Sequence, residues 1–499
     1  MSYETRNFIN NEFIPGIPGK SFPIFNPYTE SKICNIHEAQ QEDVNIAVHA
    51  AENALSSWST RNANERAAPL FKLAQLIRQN AEELAILDSI CMGKPLELLK
   101  RMDIPACAGI FEYYAGCANH ILGETSLGMK SFMNLTVRQP YGVVGLIIPW
   151  NVPMIMFAFK VAPALITGNT VILKPSEKAP LSSLKMASLI IEAGFPPGVV
   201  NIVNGDGPTT GSAIALHPKI RKISFTGSVA TGRKIMRMAA DSNLKNVSLE
   251  LGGKSPAIIF EDADIVAAAR YTHFSINHNS GQHCQANSRV LVHRKVEDAY
   301  MEELKRLASQ VKLGDPMDKQ TFQGPQVDGP QVKQIIDLID HGKQDGTLVM
   351  GGEKHPGTVT NHHNRKGHFV RPTILLNVSR SSPAYQQEIF GPVVIVNTFD
   401  SEEAAIEEAN GTEFGLFASV YTKDLERAIR VSHAIHSGAV GVNCSVPLRA
   451  VDMPIGGWKQ SGIGRELSLH GLNMYTELKT IFLKYGSDET AMASNWHTE

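Results

Sequence analysis

The sequence predicts an α/β protein organised around parallel, doubly wound sheets. Three observations carry that prediction. Short β-branched runs alternate with helical stretches from Val143 to Gly253, with turn residues at the joins. The strand-like runs are apolar throughout rather than alternating, as strands covered on both faces are. A second alternating series begins at Ser255, and 499 residues are too many for one core, so two or three domains are expected.

Residues 37–120 read as mainly helical, in stretches such as "DVNIAVHAAENALSSW" and "RAAPLFKLAQLIRQNAEELAILDSI". "VVGLIIP" is then a buried strand ending at a proline, and "PMIMFAFKVAPALITGN" a helix stopping at Gly168-Asn169. "TVILKPS" is a strand, "APLSSLKMASLIIEAGF" a helix ending at Gly194, and "VVNIVNG" a strand. "GPTTGSAIALH" is a short helix, "KISFTGS" a strand, "VATGRKIMRMAAD" a helix, and "NVSLELGG" closes the series. The second series holds "AIIFEDAD", a helix over Val266–Phe274, "RVLVH", a helix over Lys295–Leu307, and "VVIVNTF". "TVRQPYG" and "YTELKTIFLKYG" are isolated alternating strands that pair with each other or with another subunit.

Composition narrows the function classes. Apolar content is 43%, charged content 19% and formal net charge −2, with no basic arm or acidic tail, which speaks against nucleic acid or an anionic membrane as partner. Six scattered cysteines without a CxxC pair point to free thiols in a reducing compartment, and "MSYETRNFINNEF" lacks the basic and apolar regions of a leader, so a cytoplasmic protein is expected. From Val143 to Leu173 the only charge is Lys160, yet prolines, a glycine and asparagines interrupt the tract before it reaches spanning length.

Several residues carry chemistry. Cys284 sits in "SINHNSGQHCQANSR", a polar, small-residue loop that suits either an incidental thiol or a nucleophile within reach of a ligand. Glu250, at the end of an apolar strand before Gly252-Gly253, is either a capping carboxylate or a general base raised toward neutrality by burial. Asn151, between two prolines, is a turn former or an oxyanion donor. There is no GxGxxG; instead Gly227 and Gly232 bracket a strand-to-helix junction whose free N–H groups suit a phosphate. Lys174 and Glu177 follow a strand end, where an acid can hold ribose hydroxyls and oppose a 2′-phosphate.

Taken together, "PWN", "KPSE", "FTGS", "ELGGKSP", "GQHC" and "EIFGP" occur in an order and at intervals that closely resemble the NAD(P)-dependent aldehyde dehydrogenase superfamily, of the cytosolic and betaine-aldehyde type. The resemblance runs from "FINNEF" through "GGWKQSGIGRE" to "YTELKT". It implies a Rossmann-like coenzyme domain (1–122 and 142–252), an α/β catalytic domain (253–455) and a small β oligomerisation extension (123–141 and 472–490). It also implies Cys284 as catalytic thiol, Glu250 as general base and Asn151 as oxyanion donor. NAD would be held by Ile148, Pro149, Trp150, Lys174, Glu177, Gly207, Gly211, Phe225, Gly227, Ser228, Thr231, Leu251, Glu388 and Phe390, with NADP less favoured. The implied reaction is oxidation of an aldehyde to a carboxylic acid through a cysteine thioester, in a homodimer or homotetramer.

The substrate side departs from the family pattern. His283 and Gln285 flank the thiol, His278 stands where relatives often carry an aromatic, and Arg449 and Asp452 lie in the loop before Ile455. With Val152, Met156 and Phe159 spaced for one helix face, these residues suggest either an aldehyde with an apolar or aromatic body and a polar or anionic outer group, or, where Arg449 and Asp452 simply pair with each other at the surface, an enzyme of broad specificity. Three rival readings compete with this one. A CoA-acylating relative would lack Glu250, and a non-catalytic structural homologue would have lost Cys284, Glu250 or Asn151. A metal site at His362, His363 and His368 lacks a Cys or carboxylate partner, so no metal is expected.

Overall fold

The computed structural model describes residues 3–16, 19–355, 367–445 and 450–485. Its first sheet has eight strands in the order Glu12–Ile14, Asn7–Ile9, Val200–Ile202, Thr170–Lys174, Val143–Ile147, Lys222–Thr226, Asn246–Glu250 and Gly462–Ile463. The five central strands run parallel. Their spatial order is third, second, first, fourth, fifth, so the winding reverses between Val143–Ile147 and Lys222–Thr226. Ligands of such sheets bind at that reversal, beyond the carboxyl ends of the strands. The segments emerging there are Ile148–Asn151 and Gly227–Ser228.

The apolar strands follow from burial on both faces: every residue of Val143–Ile147, Thr170–Lys174 and Lys222–Thr226 is buried. Val144, Leu146, Val171 and Leu173 pack against the helices Ala63–Gln79, Pro153–Ile166 and Leu181–Ala193. Val143, Ile147, Ile172, Ile223 and Phe225 pack on the other side with the helix Gln41–Ser59. The predicted helix stops hold: Gly168 and Gly194 adopt φ of +93° and +87°, which a side chain would strain.

The second sheet has seven strands, in the order Thr347–Met350, Thr373–Leu376, Val393–Phe399, Arg289–His293, Pro256–Ile259, Phe417–Tyr421 and Ala439–Val442. All pair in parallel except the first, an antiparallel edge. The two isolated strands of the sequence meet each other: Thr476–Lys484 pairs antiparallel along the whole of Phe132–Pro140, with Thr125–Ser126 on the far side.

Asn169 ties this last sheet to the first. It is fully buried; its Oδ1 accepts from Gly142 N–H at 3.0 Å, and its Nδ2 reaches Thr167 Oγ1 at 2.9 Å and Tyr475 O at 2.9 Å. Asn169→Ala removes these bonds and strands buried partners, so stability should fall by about 3 kcal/mol. Urea unfolding should show a lower midpoint at unchanged slope; an unmoved midpoint would deny Asn169 this role.

Candidate active site

Five segments converge beyond the strand ends and line one cavity: Pro149–Val152 with Met156, Thr226–Ser228, Glu250–Gly252, Cys284, and Glu388 with Phe390. Gln331 and Gln334 complete its wall.

The thiol loop is held by backbone packing and strained geometry. Asn279, Ser280 and Gly281 all have positive φ (52°, 58° and 73°), costly for the first two residues and sustained by their surroundings. Ser280 Oγ donates to Gly324 O at 2.7 Å, Gln326 Nε2 donates to Ser280 O at 3.0 Å, and Gln282 Oε1 accepts from Val327 N–H at 2.9 Å. A Cβ on Gly281 would collide with the backbone of Gly391, so this glycine brings the thiol loop against the Phe390 loop. A Cβ on Gly253 would likewise strike the carbonyl oxygen of Cys284. Cys284 keeps accessible surface on the cavity but lies deep in the protein. Burial, then the charges of Glu250 and Glu388, push its thiol well above the usual cysteine range, while the backbone N–H groups of Cys284 and Gln285 pull it down. At rest the sulfur carries its proton.

Glu250 is buried, and burial followed by repulsion from Glu466 raises it far above the usual carboxylate range; Lys160 and Arg465 oppose the shift. Behind it lies a buried ion pair. Lys160 Nζ stands 2.5 Å from Glu466 Oε1 and donates to Ser224 Oγ at 2.9 Å. Asn151 is also buried. Its Nδ2 donates to Gln282 O at 3.0 Å, and its own carbonyl accepts from Asn279 Nδ2 at 2.9 Å, so the amide is fixed beside the thiol loop with one N–H left to donate.

The other half of the cavity gathers a second carboxylate, an aromatic pair and a glycine turn. Glu388 Oε1 accepts from Gly253 N–H at 2.9 Å, and a Cβ on Gly252 would occupy the place of its carboxylate. Burial pushes Glu388 up to about 7. Phe390 has φ of +56°, its loop fastened by Gln331 Nε2 to Phe390 O at 3.1 Å, and its ring meets Trp150 edge-on at 5.5 Å. A Cβ on Gly227 would overlap the ring of Phe225, so the glycine lets that aromatic lie beneath the strand-to-helix turn. Ser228 caps the helix Val229–Ser242, accepting from Thr231 N–H at 3.3 Å, and leaves N–H groups for a phosphate.

The other expected residues divide between this cavity and its surroundings. Lys174 is buried, 3.8 Å from Glu177, and the site of Gly211 adjoins its side-chain methylenes, a cluster suited to a ribose edge. Gly207 opens the turn Gly207–Gly211, and Ile148 is buried with its N–H on Lys174 O at 3.1 Å. Leu251 lines the cavity; Thr231 serves the Ser228 cap. Among the proposed substrate residues, Val152 and Met156 line the cavity, but Val152 is not helical: it precedes the helix Pro153–Ile166, because Pro153 takes the first position. Phe159, His278 and Gln285 are buried outside the cavity lining. Ile455 bridges to Glu466 through paired backbone bonds of 2.8 and 2.7 Å. Arg449, His362 and His363 fall outside the described residues; His368 lies 3.9 Å from Glu30, and no cluster of metal ligands occurs among the described residues.

The sequence pattern does not single out Thr226, Gly252, Gln331, Gln334, Glu466 or Lys160 as site residues. Only Lys160 has a clear signal, as the lone charge in a long apolar tract.

The description "Aldehyde dehydrogenase family" matches residues 13–481. The chain belongs to the aldehyde dehydrogenase family. Horse (Equus caballus) aldehyde dehydrogenase 1A1 is 45% identical over 483 residues, 96% of this chain and 95% of that protein. The NAD+ complex of a Bacillus cereus aldehyde dehydrogenase superposes with a TM-score of 0.93 at 44% identity, covering 96% of each chain. The indole-3-acetaldehyde dehydrogenase AldA of P. syringae, solved with NAD+ and IAA, gives 0.93 at 38% identity over 97% of each chain. An aldehyde dehydrogenase with this cavity is an NAD-dependent oxidoreductase, and the fold is that of the family.

Gly252→Ala tests the fit of the coenzyme half. The added methyl displaces the Glu388 carboxylate, so NADH affinity should fall at least about tenfold in a fluorescence titration, a loss of roughly 1.4 kcal/mol, while circular dichroism stays unchanged. Unaltered affinity would detach Glu388 from coenzyme binding.

Proposed function

We propose that Cys284, Glu250 and Asn151 carry out NAD-dependent oxidation of an aldehyde to its carboxylic acid. The observation that carries the reading is the convergence of thiol, raised carboxylate and fixed amide on one cavity. NAD, when bound, supplies the hydride acceptor. The sulfur of Cys284 gives its proton to water in the cavity and adds to the carbonyl carbon. The new oxyanion is met by the free N–H of the Asn151 amide and by Cys284 N–H, donors of a kind whose loss typically costs about 10²–10³ in rate. Loss of hydride leaves an acyl thioester on the sulfur. Glu250 takes a proton from water, which attacks the thioester; the acid departs and the thiol returns. Glu250 bordering the cavity favours hydrolysis over transfer to CoA.

Glu388 and Phe390 face the nicotinamide side, Trp150 the channel between, and Gly227, Ser228 and Thr231 the pyrophosphate. Phe225, Gly207 and Gly211 adjoin the adenine end; Lys174 and Glu177 take the adenosine ribose. The carboxylate of Glu177 opposes a 2′-phosphate, which favours NAD over NADP. Val152 and Met156 give the aldehyde an apolar seat next to the sulfur. Six free cysteines suit a reducing cytoplasm.

Two variants test the assignment. Cys284→Ala should abolish aldehyde oxidation while NADH still binds. Glu250→Gln should give a burst of NADH and then slow turnover. Because Glu250 acts deprotonated and its pKa is raised, turnover limited by deacylation should climb with pH through and above neutrality in the parent enzyme, and this limb should vanish in Glu250→Gln. Oxidation by Cys284→Ala, or an unchanged pH profile in Glu250→Gln, would remove that residue from the mechanism.

We also propose that the sheet of Phe132–Pro140 and Thr476–Lys484 joins copies of the chain. Leu478 and Phe482 are 59% and 67% exposed on it, more apolar surface than an edge strand facing water normally carries. Phe482→Asp should lower the mass measured by sedimentation; an unchanged mass would place the contact elsewhere.

A further inference from the structure

Two helices beside the first sheet begin without a cap of their own. Pro153–Ile166 starts after Val152 and Leu181–Ala193 after Pro180, and neither of these residues gives a side-chain hydrogen bond to the first turn. The chain just ahead of each start belongs to the site. Pro149, Trp150 and Asn151 precede the first helix and line the cavity. Lys174 and Glu177, 3.8 Å apart, precede the second. The two loops also meet directly, with the Lys178 ammonium 5.5 Å over the Trp150 ring.

Both helix starts face one buried acid. Asp88 belongs to the helix Ala81–Met92, which packs on Leu181–Ala193, and it is buried together with Ser182. The Ser182 hydroxyl, in the first turn of one helix, and the Met154 N–H, in the first turn of the other, are turned toward its carboxylate. Neither oxygen of Asp88 nor Ser182 Oγ completes a hydrogen bond among the described residues. The carboxylate is therefore held by facing donors and by the positive ends of two helices rather than by a closed bond. Burial, to which Asp103 adds, pushes it up to about 7, while Ser182, Lys94 and the Met154 N–H pull it down. One turn further along the same helix face, the buried Cys91 thiol meets the Leu181 N–H. Burying a carboxylate without a closed bond is costly, so what Asp88 does for the two helix starts must outweigh that cost.

We infer that Asp88 is a positioning residue for the whole coenzyme site: one buried carboxylate fixes the starts of both helices, and through them the spacing between Asn151 at the reacting end and Glu177 at the adenosine end. The inference rests on the reading of Asn151 as oxyanion donor and Glu177 as ribose acid. Asp88 does not border the cavity, so it acts only through the two loops. A dinucleotide is stretched across both of them, and a drift at either helix start shifts one of its ends against the other.

The test is Asp88→Asn, which keeps the shape and removes the charge, at about pH 8, where the parent carboxyl is ionised. Two probes read the two ends separately. AMP affinity, by calorimetry, reads the adenosine end. The rate of NADH formation in a single turnover of hexanal, at saturating NAD, reads the reacting end. Each should fall about fivefold, the worth of one charge at a helix start, well below the melting temperature of the variant. Ser182→Ala alters only the start of Leu181–Ala193. It should weaken AMP binding about twofold, the low end for one hydrogen bond, and slow the single turnover less. If Asp88→Asn does not fold, that split decides alone, and equal losses at the two ends refute it. An acid of purely structural use would lower the melting temperature and leave both probes unmoved; that result, or a loss at one end only in Asp88→Asn, overturns the inference. AMP affinity unchanged in Glu177→Gln, or a single-turnover rate unchanged in Asn151→Ala, would instead overturn the reading beneath it.

Discussion

The site depends on backbones approaching more closely than any side chain allows. Around Cys284 three loops meet, and each meeting passes through a glycine. Gly281 lies against Gly391, Gly253 against the carbonyl of Cys284, and Gly252 against the carboxylate of Glu388. These contacts set the distance between the two halves of the cavity. They also explain why strain is tolerated at Asn279, Ser280 and Phe390, whose backbones follow the paths the packing leaves them.

Onto that frame the fold places acids where water is scarce. Glu250 and Glu388 both border the cavity, both are raised by burial, and both push the thiol up in turn. The counterweight is set further back. Lys160, the charge stranded in an apolar helix, is anchored by Glu466 and Ser224 and pulls Glu250 down from behind without entering the cavity. The ion pair therefore ties the ionisation of Glu250 to the last strands of the chain, since Glu466 follows Gly462–Ile463 on the sheet edge.

Much of this architecture is legible in the amino-acid sequence alone. Unbroken apolar runs mark the parallel strands, and glycines at 168 and 194 mark the helix ends. Cys284, Glu250, Asn151, Glu388 and Phe390 sit in motifs whose order carries the family. The residues that are not legible lack a local signal. Gln331 and Gln334 reach the cavity from the helix Gly329–Asp345, well past the thiol, and only tertiary packing brings them there. Gly462–Ile463 is too short for any periodicity, yet completes the first sheet. The spacing of Val152 suits a helix face, but Pro153 fixes the helix start one residue later.

The protonated resting state of Cys284 has a consequence for durability. Peroxides and alkylating agents attack the anion of sulfur far faster than the neutral thiol. A thiol kept neutral by burial and by two neighbouring acids is therefore slow to react with such agents. The same burial and the same acidic neighbours that raise the Cys284 thiol thus set its exposure to such agents apart from that of an ordinary surface cysteine.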